Sequence, residues 1–143
     1  MLVFNDEAGW SLKYNLVWDQ LLSLGLFPDN LKEMEVDYYL AKKRKYGTPM
    51  DSRCNYTKAD WLLWAGCLTE DDDKFQQMIQ PLYDYLEHTP SRVPFSDWYH
   101  VGNGRQMGFQ NRSVIGGIFM KLLKAKWTNG EAHASALSRS IFS

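Results

Sequence analysis

The sequence predicts an all-α fold of antiparallel helix pairs whose loops carry most of the polar chemistry. Two observations predict it. Apolar residues recur at i, i+3, i+4 and i+7 through most of the chain, the period that gives a helix one buried face. The elements also follow in the order helix, short connector, helix, polar loop, helix, helix, long aromatic loop, helix. Side-by-side helix pairs satisfy that order in a bundle, a solenoid or part of a toroid. No internal repeat has a fixed period.

The first helix is expected over Tyr14 to Leu24, ended by Gly25 and Pro28. Leu31, Met34, Tyr38 and Ala41 make a narrower stripe on the second. Near its end stands the only basic run, Lys42-Lys43-Arg44-Lys45, where cations complement the negative pole of the helix. The third helix is expected to start at Tyr56-Thr57-Lys58-Ala59-Asp60-Trp61. There Thr57 would cap a first-turn N–H, Asp60 would reach back three residues, and Tyr56 and Trp61 would form a hydrophobic staple. Trp61, Trp64, Ala65 and Leu68 continue its stripe. The fourth carries Phe75, Met78, Ile79, Leu82, Tyr83 and Leu86, with Pro81 bending one continuous helix. The fifth carries Val114, Ile115, Ile118, Phe119, Leu122 and Leu123.

Two stretches interrupt this period. Residues 47–55 are short and polar. Thr89 to Arg112 is a long loop punctuated by Pro90, Pro94, Gly102, Gly104 and Gly108, and its length marks it as functional. Asn103-Gly104 within it suits a tight hairpin. The domain is expected over 1–127, with a flexible tail over 128–143.

The chain has 143 residues, room for one domain, with 16 basic and 17 acidic side chains and a net charge of −1. Near-neutral charge gives no footprint for nucleic acid. No apolar run is long enough to span a bilayer, and no charged segment followed by an apolar one opens the sequence as a signal peptide would. Cys54 and Cys67 lack metal-ligand spacing and leave a single disulfide open. His88, His100 and His133 lack such spacing too, and a pairing of Cys54 with His100 is a weak thiol–imidazole candidate. With no G-x-S-x-G elbow, phosphate loop or dinucleotide fingerprint, neither a metal nor a cofactor is expected. Sequons at Asn55 and Asn111 suit a secreted protein.

Aromatics are abundant at 15%, and three segments combine them with charge: Tyr14 to Asp19, Met50 to Trp61, and Thr89 to Tyr99. Antiparallel helix pairing would bring the last two to one end of the domain. Hydrolysis of an amide or glycosidic bond needs a proton donor, an acceptor or nucleophile, and groups that hold substrate. Asp51, Asp60 and Asp97 are carboxylates on or beside loops. Arg53 and Arg92 offer planar forks for a substrate carboxylate, and Tyr56, Trp98 and Tyr99 offer walls. Each has a structural alternative. Asp60 would cap its helix, Asp51 would pair with Arg53, Asp97 would cap a turn, and Arg92 would organise the long loop.

These segments also carry a resemblance. Trp10 to Asp19 (W-S-L-K-Y-N-L-V-W-D), Leu26 to Leu40 (L-F-P-D-N, M-E-V-D-Y-Y-L), Tyr46 to Arg53 (Y-G-T-P-M-D-S-R), Tyr56 to Trp61 (Y-T-K-A-D-W), Thr89 to Tyr99 (T-P-S-R-V-P-F-S-D-W-Y) and Gly108 to Gly117 (G-F-Q-N-R-S-V-I-G-G) together resemble the central helical domain of the fungal glutaminase A family. The resemblance implies the C-terminal part of an (α/α)6-toroid-like domain. In full-length members further helices and a β-rich domain precede it, so a truncated copy is expected. It also implies secretion and hydrolysis of glutamine to glutamate and ammonia. Two positions depart from the pattern: Cys54-Asn55 stands where His-Thr is expected, and His100 stands where Asp usually follows S-D-W-Y.

On those matched positions, chemistry points to Asp97 and Asp51 as acid or base, and to Arg53, Arg92, Tyr56 and Trp98 as substrate-binding residues. The expected partner is a small molecule, glutamine or a related amide. Apolar helix faces left open by a partial toroid would favour self-association. The alternatives are a glycosidase-like toroid enzyme and an inactive remnant.

Overall fold

The computed structural model describes residues 5–128, so 129–143 of the expected tail lie outside the described residues. Its elements are α1 (Leu16–Leu21), α2 (Asp29–Lys42), β1 (Tyr56–Lys58), α3 (Ala59–Gly66), α4 (Asp72–His88), β2 (Trp98–His100) and a 3-10 helix (Ser113–Phe119). Residues 120–128 continue as α-helix. The fold is all-α in character, with one two-stranded antiparallel ladder inserted between helices. Helix α3 lies at the centre, packed against α4, the 3-10 helix, β1 and α1, while α2 packs on α4. Leu62, Ala59 and Ala65 of α3 are fully buried.

Helix α1 is shorter than its apolar pattern because Asp19 turns the chain. The Asp19 carbonyl accepts from Leu24 N–H at 3.0 Å, and its carboxylate accepts from Leu26 N–H at 2.8 Å. Lys32 of α2 pairs with the same buried carboxylate at 2.9 Å. In α2 the buried residues are Val36 and Tyr39, whereas Met34 and Tyr38 of the expected stripe are exposed. Tyr39 is satisfied in the core because its hydroxyl accepts from Lys13 N–H at 2.8 Å.

The expected capping box is not formed. Tyr56, Thr57 and Lys58 are a strand, paired in register with His100, Tyr99 and Trp98, and α3 starts only at Ala59 with no side-chain cap. Thr57 is fully buried and its hydroxyl has no hydrogen-bond partner among the described residues. β-Branched and aromatic residues on both segments favour the extended pair, and a partner some forty residues away overrides the local rule.

Helix α4 runs unbroken through Pro81, as its periodicity predicts. It buries Phe75, Met78, Leu82 and Tyr85, while Tyr83 and Leu86 stay exposed. Its real N-cap is Asp71, whose carboxylate accepts from Asp73 and Lys74 N–H at 2.9 and 3.1 Å. Replacing Asp71 with Ala is expected to lower stability by about 1 kcal/mol in urea unfolding. An unchanged midpoint would show that packing alone holds this end.

The fifth helix opens as 3-10 rather than α. Two adjacent glycines, Gly116 and Gly117, are poor helix formers. The Gly117 carbonyl also accepts from Trp64 Nε1–H at 3.0 Å, which diverts it from an α-helical bond. No residue of the 3-10 helix is buried. Phe119, Leu122 and Leu123 present an open apolar face, and Met120 is the buried anchor.

Candidate functional site

The three segments rich in charge and aromatics converge. Trp10 and Leu12 pair with the Met50–Ser52 loop through Ser52 N–H to Trp10 O at 2.9 Å and Leu12 N–H to Met50 O at 2.7 Å. Tyr14 stacks on Trp61 with centroids 4.2 Å apart. The β1–β2 ladder joins the Asp51 loop to the Asp97 loop, and Ala59 N–H donates to Asp97 O at 2.7 Å. The hairpin expected at Asn103-Gly104 forms, with Gly104 at φ +69° donating to His100 O at 2.9 Å and Tyr99 bridging to Gln106.

Two charged centres result. In the first, Asp51 is buried and Arg53 is 63% exposed. Arg53 donates to Asp51 from Nη2 at 2.9 Å and Nε at 3.2 Å, and its backbone N–H donates at 2.8 Å. This turn is the structural alternative raised for the pair. The Arg53 guanidinium holds the Asp51 carboxyl below the usual range. Cys54 Sγ approaches Asp51 Oδ1 at 3.8 Å and His100 Nδ1 accepts from Gly102 N–H, so the two are engaged elsewhere than with each other. Both cysteines are free thiols, and burial pushes Cys67 up to about 11.

The second centre surrounds Asp97, whose side chain is 1% exposed. Lys58 Nζ donates to Asp97 Oδ2 at 3.2 Å, and Arg112 Nη1 lies 3.9 Å from the same oxygen. Asp60, 5% exposed, lies in the first turn of α3 beside them, with Gly117 pressed against its Cβ. Burial raises the Asp60 carboxyl above the ordinary 3.8, and the charge of Asp97 adds to this while Lys58 opposes it. Asp60 Oδ1 and Trp98 Nε1 are buried without hydrogen-bond partners among the described residues. Aromatic rings frame the cations: Lys58 Nζ stands 5.5 Å from both the Trp61 and Trp98 centroids, and Arg112 4.7 Å from Phe109.

Tyr56 connects the centres, with its ring edge-on to Trp98 at 5.3 Å and its hydroxyl raised chiefly by the neighbouring Cys54. Of the residues singled out from sequence, Asp97, Trp98 and Tyr56 gather around the ladder and Asp51 and Arg53 pair beside it. Arg92 is exposed and makes no ion pair or hydrogen bond among the described residues. Lys58 and Arg112 escaped sequence reasoning. Their only signal was membership of the Y-T-K-A-D-W and G-F-Q-N-R segments. Among the described residues no group of three His, Cys, Asp or Glu is placed to hold a metal, and no helix is long and apolar enough to cross a membrane.

The raised Asp60 has a pH consequence. A carboxyl with a folded pKa above its unfolded value stabilises most below about pH 4, and this is lost as pH rises through the folded value. Asp60→Asn is therefore expected to be more stable than the parent at pH 7 and to converge with it near pH 4. Urea unfolding at both pH values tests this. A variant less stable than the parent at pH 7 would show that the ionised form is the one the fold stabilises.

Fold and site together define a helical-hairpin protein whose charged residues are gathered where its loops meet. The family model described as the glutaminase A six helical-hairpin domain matches residues 1–122, and the chain belongs to that family. It is 36% identical over 122 residues to Glutaminase A of Aspergillus oryzae, covering 83% of this chain and 17% of that protein. It is 30% identical over 111 residues to a probable glutaminase of Arthroderma benhamiae, covering 76% of this chain and 13% of the relative. The chain thus spans less than a fifth of either relative. No solved structure matches it.

Proposed function

We propose that the chain is part of a glutaminase A-type amidohydrolase, which converts L-glutamine to L-glutamate and ammonia and is secreted. The observation that supports this most, beside the relatives' names, is the pair of buried carboxylates Asp60 and Asp97 in unlike surroundings. Asp97 is neutralised by Lys58, while Asp60 is pushed toward its protonated form. A buried carboxyl pushed toward its protonated form, beside a second carboxylate held by a cation, is suited to acid–base hydrolysis. Proton transfer is assigned to Asp60, Asp97 positions Lys58 beside it, and Asp51 keeps Arg53 and the Tyr56 loop in place.

The test is ammonia release from L-glutamine by the purified chain, with Aspergillus oryzae Glutaminase A as reference, beside reducing-sugar release from oligosaccharides. Ammonia that disappears in Asp60→Asn supports the assignment. Sugar release without ammonia would move the protein to the glycosidases. Turnover by neither, with the reference active, would leave the chain a remnant.

The same reading takes the helices as the last part of an (α/α)6 toroid, in which neighbouring hairpins would cover Phe119, Leu122 and Leu123. Alone, the chain is then expected to self-associate through that face. Its melting temperature should rise with protein concentration, and a concentration-independent, reversible melt would overturn this.

A further inference from the structure

We infer that Lys58 and Arg112 form a receptor for the carboxylate of an amino-acid ligand, with Asp97 as the positioning residue beneath them. The choice of an amino acid rests on the amidohydrolase reading. The preference for a carboxylate rests on the site itself.

Charge comes first. Two cations, Lys58 and Arg112, lie within 4 Å of one buried carboxylate, Asp97, and neither is ion-paired with another carboxylate among the described residues. The cations outnumber the carboxylate they pair with, which suits a single incoming carboxylate.

Donors come second. Lys58 gives one of its three N–H groups to Asp97 at 3.2 Å. Arg112 stands 3.9 Å from that carboxylate, beyond hydrogen-bond distance, and donates no hydrogen bond among the described residues. Its planar fork therefore remains available for bidentate recognition.

Access comes third. Lys58 and Arg112 side chains are 15% and 34% exposed above an Asp97 that is 1% exposed, so an incoming ligand meets the cations before the anion. Trp61, Trp98 and Phe109 back the two cations, and the Trp98 and Phe109 rings stack at 5.9 Å. Such rings hold cations in place without using their N–H groups. Arg53, by contrast, already forms a bidentate pair with Asp51. Arg92 is exposed and pairs with neither carboxylate.

The experiment is calorimetric titration of the chain with L-glutamate, L-glutamine and 4-aminobutanamide, which is glutamine without its α-carboxylate. Both amino acids are expected to bind saturably, and the amide at least about tenfold more weakly. Arg112→Met, at a partly exposed position, and Lys58→Met should each weaken L-glutamate by about tenfold or more. Arg44→Met, an exposed arginine elsewhere, should leave it unchanged. Circular dichroism confirms that each variant is folded. Equal binding of 4-aminobutanamide, undiminished binding by folded Arg112→Met, or no binding of either amino acid would each overturn the receptor. L-glutamate bound without ammonia release, with the reference active, would leave the receptor standing on a remnant that lacks the proposed activity. Ammonia release with unchanged KM in both variants would do the reverse.

Discussion

Asp97→Ala is expected to lower the stability of the fold by about 3 kcal/mol, the lower end of the range for stripping one partner from a buried ion pair. The reason is geometric. Asp97 is 1% exposed and Lys58 only 15%, so removing the carboxylate leaves an ammonium mostly out of water without its ion-pair partner. Arg112 keeps enough exposure to turn toward solvent, which holds the loss at that lower end. Urea unfolding reads the effect directly, and a loss under about 0.5 kcal/mol would class the pair with exposed ion pairs. The double substitution Lys58→Met with Asp97→Leu separates stability from function. Replacing both charges by apolar groups of similar volume is often close to neutral for stability. It should nevertheless remove amino-acid binding.

Gly117→Ala should produce the second large effect, about 1–3 kcal/mol of destabilisation from overpacking. A Cβ at that position would lie 2.6 Å from Asp60 Cβ and 3.0 Å from Trp64 Nε1. Neither is the free end of a flexible chain, so the 3-10 helix must move off α3. That movement would break the bond from Trp64 to the Gly117 carbonyl and draw Arg112, just upstream, away from Asp97. The expected signature is a red-shifted tryptophan emission together with weaker L-glutamate binding. Gly116→Ala is the control, since a Cβ there meets nothing within 4 Å. If both substitutions behave alike, close approach at Gly117 is not what holds this segment.

Much of this was legible from residue order. The apolar period placed α2 and α4, carried α4 correctly through Pro81, and marked Thr89 to Arg112 as a loop with a hairpin at Gly104. The faces were less legible. Periodicity marks which residues share a stripe but not which stripe has a neighbour. Met34, Tyr38, Tyr83 and Leu86 therefore turned out exposed, while Val36, Tyr39 and Tyr85 went inside. Asp71 was missed as a cap although its position just before α4 was readable.

The sequence alone determined the helical class, the family through motifs in order, and the segments in which the chemistry would lie. Those are properties of neighbours along the chain, where helix period and punctuation act. Only the tertiary structure decided that Tyr56–Lys58 is a strand rather than a cap, because its partner lies at Trp98–His100. That pairing also decided the site. It set Lys58 against Asp97 across 39 positions of sequence, and the Gly116-Gly117 segment brought Arg112 to the same carboxylate. Ion pairs of this kind depend on distance and burial in space, which no local pattern encodes.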